Sequence, residues 1–260
     1  MSAVTLRLLG PFRLDLALTR QRAHLGHKAQ ALLTYVASQG AHGASRASLT
    51  HLLWSRHGEN EARNSFRQCL HQIRHALGSA ADWLNVDRDR LALSGPSSST
   101  DLWCFEVLAC QDNLDALLAA AGLYNGNLAE GLSADPVTDH WLATERERLR
   151  SVACAVVARL SERVTQASDF EVATRLARQL LIDDRLHEGS YRSLMILLDR
   201  QGLRAKALQV WNECQQVLTA AMKVHPSEQT RLLYEQLRGS SVAARTMPSA
   251  ARRPSCRRVT

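Results

Sequence analysis

The chain has six cysteines (69, 104, 110, 154, 214 and 256) but no C-x-x-C pair. Most sit in apolar helical contexts, so neither a disulfide framework nor a zinc site is indicated and buried free thiols are expected. The seven histidines of residues 1–95 show no H-E-x-x-H or related ligand spacing, which argues against a metal centre. G-x-x-x-x-G-K-[ST] is missing, as are a nucleophile elbow and a paired-carboxylate motif. No catalytic residue, cofactor or nucleotide-driven switch is therefore expected, and the chain reads as a non-enzyme. No apolar run approaches the roughly 18–20 residues of a membrane span. The opening M-S-A-V-T-L-R-L-L-G is too short in its apolar part for a secretory signal, which points to the cytoplasm.

One further absence is local. Between Gln68 and Gly78 there is no carboxylate. The surrounding stretch, E-A-R-N-S-F-R-Q-C-L-H-Q-I-R-H-A-L-G (61–78), places Phe66, Leu70, Ile73 and Leu77 at i, i+4, i+7 and i+11. That is a continuous apolar stripe of a helix packed into a small domain. The opposite side carries Asn64, Arg67, Gln68, His71, Gln72, Arg74 and His75. A solvated helix face normally mixes both signs of charge. A one-sided face of donors and cations suits phosphates and base edges, so this helix is expected to recognise double-stranded DNA. Arg67, His71 and Arg74, at i, i+4 and i+7, are the leading candidates for groove contacts. Gln68, Gln72, Asn64 and Arg63 follow as base or phosphate partners.

Charge is divided along the chain. Residues 1–95 hold 12 Lys+Arg against 6 Asp+Glu, residues 96–238 hold 15 against 19, and residues 239–260 hold 5 against none. The two ends attract a polyanion and the middle does not. With 45% hydrophobic and 22% charged residues, the composition is that of an ordinary globular protein.

Val4, Leu6 and Leu8 alternate with polar residues, as do Phe12, Leu14 and Leu16 after the Gly10-Pro11 turn. This predicts two strands of a half-buried antiparallel sheet. A helix is expected over 27–38 and a second from 45 through Trp54, followed by the helix over 61–77. Leu84 and Val86 then match Leu91 and Leu93 across Asp87-Arg88-Asp89-Arg90, a hairpin with a charged tip. Strands, three helices and a terminal hairpin make a winged helix-turn-helix of α+β class. Arg88 and Arg90 reach a phosphate or the minor groove from the wing, or serve as solubilising turn charges beside Asp87 and Asp89. Lys28 and Arg46, near helix starts, are candidates for contact with the DNA backbone.

S-G-P-S-S-S-T (94–100) has the composition of a linker. Helices are expected beyond it near 101–123, 137–166, 169–181, 187–200, 203–223 and 227–237. Ala173 and Ala207, Leu176 and Val210, and Leu180 and Cys214 correspond at a spacing of 34, the tetratricopeptide period. The pattern also fits a plain helical bundle. From Gly239 the arginine-rich end, with few large apolar residues, is expected to be a disordered basic tail that adds nonspecific phosphate attraction or is merely a flexible end. The domains expected are thus 1–95, a linker at 96–100, an all-α TPR-like domain over 101–238, and a tail over 239–260.

The segments R-L-L-G-P-F-R-L (7–14), A-L-L-T-Y-V-A (31–37), S-R-A-S-L-T-H-L-L-W (45–54), A-R-N-S-F-R-Q-C-L-H-Q-I-R-H-A-L-G (62–78) and D-R-D-R-L-A-L (87–93) together resemble the OmpR-type winged helix of the SARP/AfsR family of transcriptional activators. D-L-W-C-F-E (101–106), L-Y-N-G-N-L-A-E-G (123–131), W-L-A-T-E-R-E-R-L-R (141–150) and H-P-S-E-Q-T-R-L-L-Y-E-Q-L (225–237) are similar to that family's bacterial transcriptional activator domain. The resemblance implies a DNA-binding regulator that acts in pairs on direct repeats and helps recruit RNA polymerase. Relatives commonly read S-R-L-R-R where this chain has His71-Gln72-Ile73-Arg74-His75, so Arg74 keeps the arginine while Gln72 and His75 replace basic positions. The resulting expectation is a sequence-specific transcriptional regulator, an activator touching the transcription machinery and forming a homodimer on repeated sites. The alternative is a TPR-like protein-interaction adaptor with a degenerate winged helix.

Overall fold

A computed structural model of the chain describes residues 4–16, 21–96 and 99–245. Strand β1 (Val4–Arg7) pairs antiparallel with β2 (Arg13–Leu16), placing Val4 opposite Leu16 and Leu6 opposite Leu14, as the alternation predicts. A short β3 (Gln21–Arg22), not evident from the sequence, extends this sheet beside β2. Helices α1 (His27–Ser38), α2 (Arg46–Trp54) and α3 (Glu59–Leu77) follow. Ser45 caps α2 by accepting from the Ser48 backbone N–H at 3.0 Å. The wing is β5 (Leu84–Val86) and β6 (Arg90–Leu93), with Leu84 opposite Leu93 and Val86 opposite Leu91.

A third strand, β4 (Ala44–Ser45), joins the wing on the other edge of β6. Gly43 makes that approach possible: its φ is +63°, and a Cβ there would lie 2.0 Å from the Leu91 carbonyl oxygen.

The helical half comprises α4 (Asp101–Ala109), α5 (Leu114–Leu123), α6 (Pro136–Arg163), α7 (Ala167–Asp183), α8 (Glu188–Arg200), α9 (Arg204–Met222) and α10 (Glu228–Arg245). Two boundaries differ from the sequence pattern. The single helix expected over 101–123 is broken at Cys110. Arg159 donates to the carbonyls of Ala109 and Gln111, Arg163 donates to that of Asp112, and Asn113 then caps α5 through the Ala116 N–H. Those partners satisfy the helix-end groups that continuation would otherwise pair. Helix α10 runs to Arg245, into the stretch expected to be disordered; no proline interrupts it before Pro248, and Gly239 is tolerated at roughly 1 kcal/mol. The rest of the expected tail, 246–260, lies outside the described residues.

The 34-residue correspondence is a packing fact: Ala173, Leu176 and Leu180 of α7 and Ala207, Val210 and Cys214 of α9 are all buried. Cys69 and Cys214 are buried thiols, each pushed up to about 12 by burial, whereas Cys110 is exposed, contrary to the expectation of buried cysteines. No helix among the described residues is long and apolar enough to cross a membrane.

The end of the segment expected to be a linker is packed, while Ser94, Gly95 and Pro96 are exposed. Ser99 and Thr100 are fully buried, and Thr100 bridges to Leu6 of β1. Immediately after it, the Asp101 carboxylate accepts from the backbone N–H groups of Leu8 and Leu9 at 2.7 and 3.1 Å. Burial raises the Asp101 carboxyl despite those donors. Residues 8–11 then lie against the loop after α5: Ala129 N–H donates to the Leu8 carbonyl and Glu130 N–H to that of Gly10. Gly10, at φ +122°, turns the chain there.

On a second front, Trp103 Nε1 donates to the Ala37 carbonyl at 2.7 Å, Tyr35 meets Trp141 edge-on at 5.0 Å, and Thr138 Oγ1 donates to the Leu52 carbonyl. His27 Nδ1 donates to the Ser133 carbonyl. One apolar core runs through both halves. The winged helix and the helical half are interlocked.

Candidate nucleic-acid interface

Helix α3 starts at Glu59, with Glu59 and Glu61 in its first turn where the helix dipole favours carboxylates. Arg74 and His75 stand in the last turn, and Gly78 at φ +54° ends it. Its apolar stripe is buried as the spacing predicts: Ile73 and Leu77 are at most 2% exposed, and Phe66 and Leu70 at most 7%. Ala62 and Cys69 join them. Trp54 of α2 anchors the stripe by meeting Phe66 edge-on, with centroids 5.9 Å apart.

The other face is free. Asn64, Arg67, Gln68, His71, Gln72, Arg74 and His75 are all exposed. Among the described residues, Arg67 and Arg74 have no ion pair or hydrogen bond within the protein. Side chains that fold unpaired on a rigid helix are available to an external partner at no cost in broken internal bonds.

The N-terminal half of α3 borders a cleft of about 1090 Å³ that also takes in α2 and the wing tip. Arg46, Arg63, Arg67, Arg88 and His51 line it, with Glu59 and Asp89 as the carboxylates. The C-terminal half borders a smaller hollow of about 390 Å³, where His71, Gln72 and His75 face His24. Thr50, His51 and Ser55 of the first cleft, and His24 of the second, are not singled out by sequence. They reach α3 only because of how α1 and α2 cross it, which no local pattern encodes.

The remaining candidate cations divide sharply. Arg88 is exposed at the wing tip and has no partner among the described residues. Arg90 instead turns back and donates to the carbonyls of His42 and Gly43 at 2.9 and 3.2 Å, tying the wing to the turn before α2. Arg63 is ion-paired with Glu59 one turn earlier. Arg46 lies with its guanidinium 5.8 Å from the Phe66 ring, and its Nε is buried without a partner.

Lys28 departs furthest from expectation. Its ammonium is bound by the Leu53 carbonyl and the Asp135 carboxylate, and it stands 5.9 Å over the Trp54 ring. Asp135 is also the N-cap of α6, accepting from Val137 and Thr138 N–H. Burial alone would raise the Asp135 carboxyl, but hydrogen bonds from Lys28 and Thr138 hold it below the usual carboxylate range. Lys28 therefore ties the two halves together. No cluster of ligating side chains suited to a metal ion occurs among the described residues.

Two small sheets around a three-helix unit are joined to a stack of helical hairpins. The family model for the bacterial transcriptional activator domain matches residues 107–238, and the chain belongs to that family. Among solved structures, the fold is similar to that of Mycobacterium tuberculosis EmbR in complex with a low-affinity phosphopeptide. The TM-score is 0.65 and the identity 17%, over 92% of this chain and 66% of that one. At that identity the likeness is one of fold alone, and the chain spans just under two thirds of its length. Curated protein sequences include no match.

Proposed function

We propose that the protein binds double-stranded DNA sequence-specifically through the exposed face of α3. The observation that carries this reading is the contrast within one helix: a fully seated apolar stripe behind a carboxylate-free row of unpartnered donors from Asn64 to His75. Inserted in the major groove, Arg67 and Arg74 read guanine O6/N7, while Gln68, Gln72 and Asn64 suit adenine N6/N7. His71 stands between the two arginines on the same face. Arg88 at the wing tip, with Arg46 and Arg63 across the cleft, attracts the flanking phosphates. Arg90 and Lys28 serve the fold.

The helical half carries the regulatory contacts, including those to RNA polymerase that the family resemblance implies. Pairing of two copies on a repeated site multiplies occupancy through effective concentration without new DNA contacts. Incubating the full-length protein with sheared genomic DNA, recovering the bound fragments and sequencing them tests the reading. A shared sequence element must emerge, and binding to it must weaken with salt at a slope near 0.9 per phosphate neutralised. Recovery of fragments without a common element, or of none, would leave a protein-interaction adaptor as the better account.

A further inference from the structure

The helical half contains a groove unrelated to α3. Phe170, Thr174, Arg178 and Ile182 follow one another at one-turn spacing along α7, a run of roughly 18 Å. Together with Leu198 from α8 and Leu203 and Lys206 at the start of α9, they line a groove of about 840 Å³. Ile182 is 71% exposed, more than any other large apolar side chain among the described residues, and Leu203 is 39% exposed. Phe170 and Leu198 are buried and floor the groove, and the open Ile182 and Leu203 at its rim mark a surface that a second helix covers.

The charge at this groove is one-sided. Arg178 and Lys206 have no ion pair among the described residues. Arg175 gives its guanidinium only to neutral oxygens, those of the Asn125 side chain at 3.1 Å and the Ala121 carbonyl at 2.8 Å. Glu171 is the single carboxylate on the lining. Cations therefore outnumber carboxylates here within a half that is net acidic along its sequence. The Thr174 hydroxyl is buried beside them without a hydrogen-bond partner.

We propose that this groove docks an amphipathic, carboxylate-bearing helix of a partner protein. Its apolar stripe covers Ile182 and Leu203 above the Phe170 floor, and its flanking Asp or Glu residues meet Arg178, Lys206 and Arg175. The chain's own residues 246–260 do not suit the site, since they carry four arginines and no carboxylate. A second copy docked groove to groove would set one cationic patch against the same patch, because a two-fold interface brings like patches together. An acidic helix avoids both conflicts. The inference goes beyond DNA recognition and does not depend on it.

The test uses the full-length protein and a labelled 18-residue helical peptide with a leucine stripe flanked by glutamates, followed by fluorescence anisotropy. A twin peptide carries lysines in place of the glutamates. Saturable binding of the acidic peptide, at least tenfold tighter than its twin, is expected, with a tenfold or greater loss in Ile182→Ser. The double variant Arg178→Glu/Lys206→Glu should reverse the preference toward the lysine peptide. All three side chains are exposed, so unchanged thermal unfolding is the control, and unchanged binding to recovered genomic DNA separates this proposal from the reading of α3.

Equal binding of the two peptides, binding indifferent to the variants, or no binding at all overturns the proposal. Sedimentation showing self-association that Ile182→Ser abolishes, with no binding of the peptide, would make a second copy the occupant. Displacement of the peptide by mixed-sequence DNA would make it a polyanion.

Discussion

Lys28→Ala distinguishes a structural lysine from a DNA-binding one. The substitution removes two hydrogen bonds of the ammonium, one to the Leu53 carbonyl at the end of α2 and one to the Asp135 carboxylate at the start of α6. Asp135 is left less exposed than the lysine, with side-chain exposures of 19% and 35%, so its charge loses a partner where water only partly replaces it. It keeps the N–H groups of Val137 and Thr138, which limits the damage. The Leu53 carbonyl, an end-of-helix acceptor, loses its lysine donor. A charge-assisted bond and a neutral-acceptor bond in a half-buried site together stabilise by about 1–3 kcal/mol. For a chain of this size that lowers Tm by roughly 2–12 °C.

The pH dependence has a defined sign. Because the Asp135 carboxyl is held below its ordinary value, its contribution is present above about pH 4 and is lost as pH falls through the folded-state value. The gap between wild type and Lys28→Ala should therefore persist from pH 7 to pH 5 and narrow in more acidic buffer. Thermal unfolding followed by circular dichroism measures both effects. The salt dependence of DNA affinity provides the opposing arm, since loss of a phosphate contact would flatten the slope by about 0.9. An unchanged Tm together with a flattened slope would refute the structural role and return Lys28 to the DNA backbone.

Arg67→Ala and Arg74→Ala should each weaken binding to the selected operator by about 1–3 kcal/mol, roughly 5- to 150-fold, with Tm unchanged; mobility shifts that show full affinity in both variants would mean the wrong face of α3 has been assigned. Ile73→Ala, at a position with no exposure, should reduce stability to urea by about 2–5 kcal/mol, and an effect below 1 kcal/mol would contradict the seating of that stripe. A fragment of residues 1–97 should fail to unfold cooperatively, because the Leu8 and Leu9 N–H groups and the Ala37 carbonyl lose their partners in α4; a dispersed amide spectrum with a sharp thermal transition would show that the winged helix folds alone.

Elements whose signal is local were legible in the sequence. Helix α1 spans the expected residues, the stripe of α3 is buried at each predicted position, and the registers of β1–β2 and of the wing follow from alternation. What was hidden depends on partners distant along the chain. Lys28 and Asp135 are 107 residues apart, so neither position announces the other. The composition of 94–100 reads as a flexible connection because Gly, Pro and Ser are frequent in loops. Here the Ser99 and Thr100 side chains are small enough to be enclosed where β1 and α4 converge. The break after α4 is likewise fixed by arginines of α6 that reach its last carbonyls and those of the turn beyond. In each case a tertiary contact overrode a correct local propensity.

The same distinction governs which cations can act on a partner. A basic residue counted in sequence contributes to long-range attraction wherever it lies, but it makes a specific contact only if folding leaves its donors open. Arg90 and Lys28 have theirs occupied by carbonyls and a carboxylate of the protein itself. Arg67, Arg74 and Arg88 do not, and they lie on or beside one helix. Arg178 and Lys206 do not either, and they flank an open apolar groove on the other half. Since the halves are joined through β1, α1, α2, α4 and α6 with buried polar contacts, the two open surfaces hold a fixed relation. A partner seated along α7 is then carried to the DNA in a set orientation, which a flexible connection between domains would not provide.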